Sequence, residues 1–429
     1  MSGLRIVAAA DENALATLYS AGWEPGAQVT EAVAEILREV RARGDDALVD
    51  YARRFDDPHF TSTRLRVELP PLSRARALVP ERVAAGLELA RERVHAFHSR
   101  QRTPDVEYDE RDGTRYAILV RPLACVGAYV PGGTASLPSS AIMTIVPAKL
   151  AGVGRIVATT PPVPGETGVN PAILFACVLC GVDELYAAGG AQAIAALAYG
   201  TRTIARVDKI VGPGSVWVTE AKRQLFGRVG IEGLAGPSEV LVVADETASP
   251  EYVAGEMLAQ AEHDRCARVA AVSRDRGVLE RTAAAIAANR EKERSAIVDS
   301  VLEHGAWLIH ARSEDEILEV IDRFAPEHLS IQTRDPMSLV PKVRHSGAIF
   351  IGPSTPVAAG DYIAGTNHVL PTAGAARFAS GLRVSDFTRT MSLVEYSDAR
   401  MQADAGVLES LAAFEGLPGH ARTARIRKR

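Results

Sequence analysis

Four short strings in this chain bring proton-accepting and metal-donating side chains close together. In "LAQAEHDRC" (258–266), Gln260 and His263 stand three residues apart on one face, at the tail of an otherwise apolar helix. Helix ends are wet, so polar residues gather there. Yet an imidazole beside an amide oxygen is also a donor pair, His being the commoner zinc ligand and Gln an unusual one. Cys266 continues the spacing, but "DRCARVAAV" already leads into the next strand and takes the thiol away. In "FAPEHLSI" (324–331), Pro326 ends a helix and favours an extended Ala325. Glu327 and His328 then sit where a strand begins, on a turn from which both can face one cleft. A carboxylate beside an imidazole offers two proton acceptors of different basicity, which suits a reaction that moves more than one proton. From this string alone, a surface Glu beside a structural His reads equally well.

The densest stretch is "PSTPVAAGDYIAGTNHVLPT" (353–372), where Asp361 and His368 lie in a Gly-, Pro- and Thr-rich loop after a strand, a common place for binding residues. The tail string "FEGLPGHARTA" adds Glu415 and His420. A metal needing four donors could draw on Gln260, His263, Asp361 and His420, a nitrogen and oxygen set that suits zinc. No single spacing demonstrates it.

These side chains need a scaffold. The helix that ends at "QAEH" starts at "ASPEYVAGEM", with Ser249 as N-cap, Pro250 in the first turn and Glu251 near the positive dipole end. Residues before about 110 read as helices, as in "EAVAEILREVRARGDDALVDYARRFD". His95 and His98 share a later helix with no other donor near them in sequence, so they read as surface or core residues. From about 120, short β-branched runs alternate with helical ones, from "CVGAYVPGG" to "VDKIVGPG", and the pattern restarts at "EVLVVAD" (239–245). Such alternation implies parallel, helix-covered sheets. The expected class is α/β, with two incomplete Rossmann-like parallel-sheet domains. The expected limits are an N-terminal extension over 1–24, a first domain over 25–110 and 239–380 carrying the metal and catalytic residues, a second, cofactor-binding domain over 111–238, and a tail of helix and extended chain over 381–429. The turns "YVPGG", "AAGG" and "VGPGS" let backbone amides approach a phosphate closely. None completes GxGxxG, so they point only weakly to a nucleotide.

At 429 residues the chain exceeds one ordinary core. A net charge of -5, with no basic run before "RTARIRKR", disfavours nucleic acid as a partner. No apolar run nears the roughly 18 residues that cross a bilayer, and the N-terminus has no secretory pattern. Cys177 and Cys180 form a CxxC inside an apolar helix without a second ligand pair, which reads as core. The reducing cytoplasm is the expected compartment.

The strings "VGAYVPGG", "GGAQAIAALAYGT", "VDKIVGPG", "AGPSEVLVVADE", "QAEH", "APEHL", "GAIFIGPSTP", "GDYIAGTNHVLPT" and "EGLPGHA", in this order from residue 25 to the end, resemble the histidinol dehydrogenase family. The resemblance implies oxidation of L-histidinol to L-histidine through the aldehyde, with one NAD reduced at each of two steps. It implies Gln260, His263, Asp361 and His420 as zinc ligands, His328 as base and Glu327 as activator of the water that attacks the aldehyde. Ser238, His368 and Glu415 would touch substrate together with the metal ligands and His328, and Tyr129 and Gln192 would touch NAD. It also implies a homodimer whose tail brings Glu415 and His420 to the partner's site. Two positions depart from the family pattern: Ser215 stands where an Asn usually contacts the cofactor, and Arg389 where a Lys is usual. Two other readings keep the fold, a dehydrogenase for another polar alcohol such as a sulfonated diol and a non-enzymatic scaffold.

Overall fold

The computed structural model describes residues 4–20, 22, 24–132, 136–165, 168–289 and 294–428. Gly133 of the "YVPGG" turn and the terminal Arg429 lie outside them. Two six-stranded sheets, parallel except at one edge of the second, form the frame. The first runs in the order Ile6–Ala8, Ala306–His310, Arg268–Ser273, Glu239–Ala244, His328–Gln332, Ala348–Ile351. Its central strand shows why a parallel sheet reads as a continuous apolar run. Val240 and Val242 enter the core on one face, Leu241 and Val243 the core on the other, and all four are fully buried. Burying each such side chain contributes roughly 1.5–3 kcal/mol.

The second sheet runs Arg66–Val67, Glu184–Ala187, Arg155–Thr160, Cys125–Tyr129, Lys209–Val211, Gly230–Ile231. Its Arg66–Val67 edge strand is antiparallel. The helices covering it include a nearly all-apolar pair, Pro138–Ala151 and Pro171–Cys180. Cys177 and Cys180 are free thiols in this core, as their helix's composition implied. His98 is buried with its Nδ1 on the Val94 carbonyl oxygen (3.0 Å), and His95 is exposed.

Two domain expectations require correction. The helices Ala27–Arg43, Asp45–Phe55 and Glu81–His98 pack into the core of the second sheet, not the first. Thr203 Oγ1 donates to Asp45 Oδ2 (2.6 Å) and Gln224 Nε2 to the Thr30 carbonyl (2.9 Å), across the join. The stretch before residue 24 is no appendage either: Ile6–Ala8 forms the edge strand of the first sheet. Helical periodicity identifies a buried face but not the sheet that buries it.

A third sheet joins Val106–Asp109, Arg115–Pro122 and Thr388–Glu395 in antiparallel register. The last of these was expected to carry no strand. Both its faces stay largely exposed, so its sequence lacks the alternation that a half-buried strand shows. Beyond it, helices Asp398–Phe414 and Pro418–Arg425 pack on each other.

Candidate active site

The strand His328–Gln332 starts where expected, but the residue before the proline does not. Ala325 is left-handed (φ 49, ψ 59), with its N–H on the Ile321 carbonyl (2.8 Å). Pro326 disfavours the right-handed helical region for its predecessor, and here the left-handed well closes the helix in place of an extended residue. Gly347 lies against the next residue: a Cβ there would stand 2.5 Å from the Glu327 carbonyl oxygen. Only glycine permits that approach.

Glu327 and His328 are both buried and held by one residue that the sequence reading did not single out, Glu239. His328 Nδ1 donates to the Glu239 carbonyl oxygen (2.9 Å). The Glu239 amide donates to Glu327 Oε2 (3.0 Å), and the Glu327 amide donates back to Glu239 Oε2 (3.3 Å). The other Glu239 oxygen accepts from the Ala373 amide (3.1 Å) and from the Arg268 guanidinium. Because Nδ1 carries the donated hydrogen, neutral His328 presents a lone pair at Nε2. That atom is buried with no hydrogen-bond partner, 3.6 Å from Asp361 Oδ1. Two acceptors facing each other at that distance call for a proton or a cation between or beside them.

Electrostatics follow from this crowding. Burial pushes the Glu327 carboxyl up to about 7, although His328 pulls the other way. Burial pulls the His328 pKa down, and the carboxylates of Glu327 and Asp361 more than offset it, leaving it raised. Burial would raise Asp361, but His328 beside it brings its pKa below the ordinary value.

The helix that ends at "QAEH" runs Pro250–Ala261, so Gln260 is in it and His263 lies two residues past its end, its amide on the Gln260 carbonyl (3.3 Å). Ser249 is the N-cap residue, though its hydroxyl reaches Glu251 Oε2 (2.8 Å) instead of a helix amide. Gln260 is buried and His263 exposed. Surrounding protein holds the His263 pKa below normal, opposed by the nearby Asp361 charge. Glu256, one turn before Gln260, accepts from the Val357 amide (3.1 Å), tying this helix to the short helix Val357–Tyr362 that carries Asp361. The tie sets the Gln260 helix beside the helix of Asp361, whose charge reaches His263, and the three residue types are oxygen and nitrogen donors of the kind that suit a cation. Among the described residues no group of three His, Cys, Asp or Glu that could hold a metal ion forms.

His368 is engaged at both nitrogens, Nδ1 on the Asp361 carbonyl (2.9 Å) and Nε2 on Ser140 Oγ (3.1 Å). Ser140, on the Pro138–Ala151 helix of the other unit, is a second residue that the sequence reading passed over. Ser238 is half-buried beside Glu239, its carbonyl accepting from the Arg268 amide (3.0 Å).

A separate cavity of about 520 Å³ lies between the N-terminal helices and the second sheet. Gln192 and Ser215 line it, and the Tyr129 hydroxyl accepts from the Gly190 amide (3.2 Å) at the same place. Gly190 and Ser215 mark the N-termini of the helices Gly190–Tyr199 and Val216–Leu225. Two helix N-termini opening on one cavity favour an anion. The Ser215 turn is clamped from beneath: Glu232 Oε1 accepts from the Gly212 amide (2.7 Å), while Lys222 Nζ donates to the Gly212 carbonyl (2.6 Å).

A family model described as histidinol dehydrogenase matches residues 23–428. The chain belongs to the histidinol dehydrogenase family. The enzyme of that name from Geobacter metallireducens is 44% identical over 418 residues, covering 96% of this chain and 94% of its own. That of Gluconobacter oxydans is 43% identical over 429 residues, 100% of this chain and 99% of its own. The crystal structure of histidinol dehydrogenase from Elizabethkingia anophelis superposes with a TM-score of 0.91 at 31% identity, over 99% of this chain and 98% of that one. These relatives lend the sulfonated-diol alternative no support.

Within the family pattern, the tail residues stand apart. Glu415 ends the Asp398–Phe414 helix and His420 lies in the Pro418–Arg425 helix, both exposed. No hydrogen bond or ion pair joins either side chain to Gln260, His263 or Asp361 among the described residues. Arg389 is exposed on the third sheet, opposite Arg121, and belongs to neither the His328 cluster nor the described cavity lining. Glu239 had a visible signal: an acidic residue opening the apolar run "EVLVVA" is expected to be buried with a partner. Ser140 had none.

Proposed function

We propose that this protein oxidises L-histidinol to L-histidine in two NAD-linked steps, within histidine biosynthesis in the cytoplasm. In the first, the alcohol loses a proton from oxygen and a hydride from carbon, giving the aldehyde, NADH and one proton. In the second, water adds to the aldehyde and the hydrate loses hydride to a second NAD+, giving the carboxylate, NADH and two protons.

The unpartnered, buried Nε2 of His328 carries this reading. With Nδ1 held by the Glu239 carbonyl, Nε2 is the nitrogen that exchanges a proton, and in the neutral ring it accepts the hydroxyl proton. A base so placed contributes ~10²–10⁴-fold. Glu327, with its carboxyl raised toward neutrality, takes a proton from the attacking water. Gln260, His263 and Asp361 would hold zinc, with His420 of a second copy as the fourth ligand. When bound, zinc supplies a Lewis-acid anchor for the substrate's nitrogens. Ser238, His368 and Glu415 bind substrate alongside them, and His368 Nε2 exchanges Ser140 for a substrate group as it does so. Tyr129, Gln192 and Ser215 bind NAD, its pyrophosphate near the two helix N-termini.

A homodimer completes the site. Val407, Leu411 and Phe414 share one face of the tail helix, and Phe414 is 92% exposed. Such a face is expected to be covered by another protein surface, and a second copy brings Glu415 and His420 with it. The test is NADH formed per L-histidinol consumed, before and after chelation and zinc return. Two NADH, lost on chelation and regained with zinc, is the expected result. One NADH, or turnover untouched by complete demetallation, would overturn the proposal.

A further inference from the structure

The cavity that holds Gln192 and Ser215 also takes in the C-terminal end of the Asp45–Phe55 helix, and two adjacent aspartates there behave differently. Asp57 is fully used: Oδ2 accepts from Arg64 Nη1 (2.6 Å) and Oδ1 from the His59 amide (2.9 Å). Asp56 is the cap residue of that helix and lines the cavity. Its Oδ2 is buried and has no hydrogen-bond partner. Buried carboxylate oxygens are rarely left so, because an unmade hydrogen bond there costs the full desolvation of the group. Burial raises the Asp56 carboxyl to about 6, as expected where no donor compensates it. Its charge also reaches the Tyr129 phenol, so the two groups share one neighbourhood.

A donor-bearing ligand in the cavity, met by a small rotation of the Asp56 carboxyl, would supply the partner that its buried Oδ2 lacks. None of its lining residues belongs to the His328 cluster, so the part of a dinucleotide held there is the end remote from the reacting carbon. That end is the adenosine, whose ribose offers two vicinal hydroxyls. Phe55 and Trp217, both partly exposed on the cavity wall, provide apolar surface for a purine. A second acid, Glu35, lines the same wall. The one cation among the described lining residues, Arg54, lies with its guanidinium carbon 5.0 Å from the Phe55 ring centroid.

Resting on the reading of this cavity as the NAD site, we propose that Asp56 accepts hydrogen bonds from the adenosine ribose hydroxyls and thereby selects NAD+ over its 2′-phosphorylated form. The logic is that of acidic residues in dinucleotide folds generally, where a carboxylate takes the 2′-hydroxyl and repels a phosphate in its place. Here the acid comes from a helix outside the sheet, some 130 residues before the Gly190 turn by the numbering itself.

The test is equilibrium binding to the zinc-loaded dimer, followed by quenching of tryptophan fluorescence and by calorimetry, with NAD+, NADP+, ADP-ribose and 2′-deoxy-NAD+. Wild type should prefer NAD+ to NADP+ and bind 2′-deoxy-NAD+ about tenfold more weakly than NAD+, the loss expected for one hydrogen bond to a charged group. Asp56→Asn should weaken NAD+ and ADP-ribose by about tenfold, be nearly indifferent to the 2′-deoxy change and narrow the NAD+ to NADP+ preference. Asp56→Glu should restore part of the preference, which a merely structural defect would not. Equal binding of all four ligands by wild type and Asp56→Asn would overturn the role of Asp56 while leaving the NAD site in place. Binding of NAD+ that Gln192→Ala and Trp217→Phe leave unchanged would locate the cofactor elsewhere and remove both readings. A preference governed by Arg54 would appear as tight NADP+ binding lost in Arg54→Ala, and would also refute the proposal.

Discussion

Arg268→Met removes the one counter-charge, among the described residues, of a carboxylate that cannot reach water. Glu239 is 0% exposed and the Arg268 side chain 13%. Breaking such a pair by deleting one partner costs about 3–5 kcal/mol, because the remaining charge is buried without compensation. Arg268 also donates to the carbonyls of Leu18 (3.1 Å) and Ser20 (2.7 Å), so the N-terminal segment loosens with it. The penalty depends on pH in a determined direction. Burial raises the Glu239 carboxyl in the folded protein, and Arg268 opposes that rise. Without Arg268 the folded pKa moves further up. A carboxyl whose folded pKa lies above its unfolded value contributes its stability fully below the unfolded value and loses it as pH climbs through the folded one. The gap between wild type and Arg268→Met should therefore be largest near pH 8. It should shrink toward about 1–2 kcal/mol as pH falls and Glu239 takes up a proton, because then only hydrogen bonds are lost. Glu239→Gln with Arg268→Met should recover part of the loss at pH 8, since the neutral amide leaves no buried charge and its one oxygen still accepts from either the Ala373 or the Glu327 amide. Urea unfolding at fixed protein concentration, followed by circular dichroism from pH 5 to 8, measures all three proteins. A gap below 1 kcal/mol, or one independent of pH, would refute the argument that Glu239 is held as a buried anion.

Glu327→Gln should slow aldehyde oxidation far more than alcohol oxidation, so that trapped aldehyde accumulates and NADH per substrate falls from two toward one. In wild type the aldehyde step should weaken as pH falls through about 7, because a carboxyl raised by burial loses its base form there. A pH profile flat from 6 to 8 for that step would contradict it. His328→Asn should cut the chemical step by roughly two orders of magnitude or more. Mixing that variant with a chain lacking residues 398–428 should restore activity in heterodimers that pair one intact base with one intact tail. No recovery despite mass-spectrometric proof of mixing would rule out a tail that works across the interface.

Several parts of the site were legible in the sequence because local chemistry marks them. Pro326 before Glu327–His328 sets the strand start whatever the tertiary fold, and the residue types at 260, 263 and 361 are unusual enough to stand out from an apolar background. The same local signals did not reveal partners. Which sheet buries the helices over 27–98 depends on surfaces far apart in sequence, and an amphipathic stripe is the same whichever core receives it. The exposed strand over 388–395 was invisible for a related reason, since without a buried face nothing imposes a period of two.

Glu239 shows what an intermediate case looks like. Its position at the head of "EVLVVA" announces burial, and burial of a carboxylate announces a cation, but nothing local names Arg268 twenty-nine residues on. Once the parallel register sets Glu239 opposite Arg268 and Val240 opposite His328, the rest is forced. One carboxylate at the head of the central strand is then flanked by a cation on one neighbouring strand and the Glu327–His328 pair on the other. Its backbone orients the base while its side chain holds the backbone that carries Glu327. The apolar sheet tolerates a carboxyl at that point because Arg268 and two backbone amides bond to it, while its carbonyl, by taking the Nδ1 hydrogen, leaves Nε2 of His328 free.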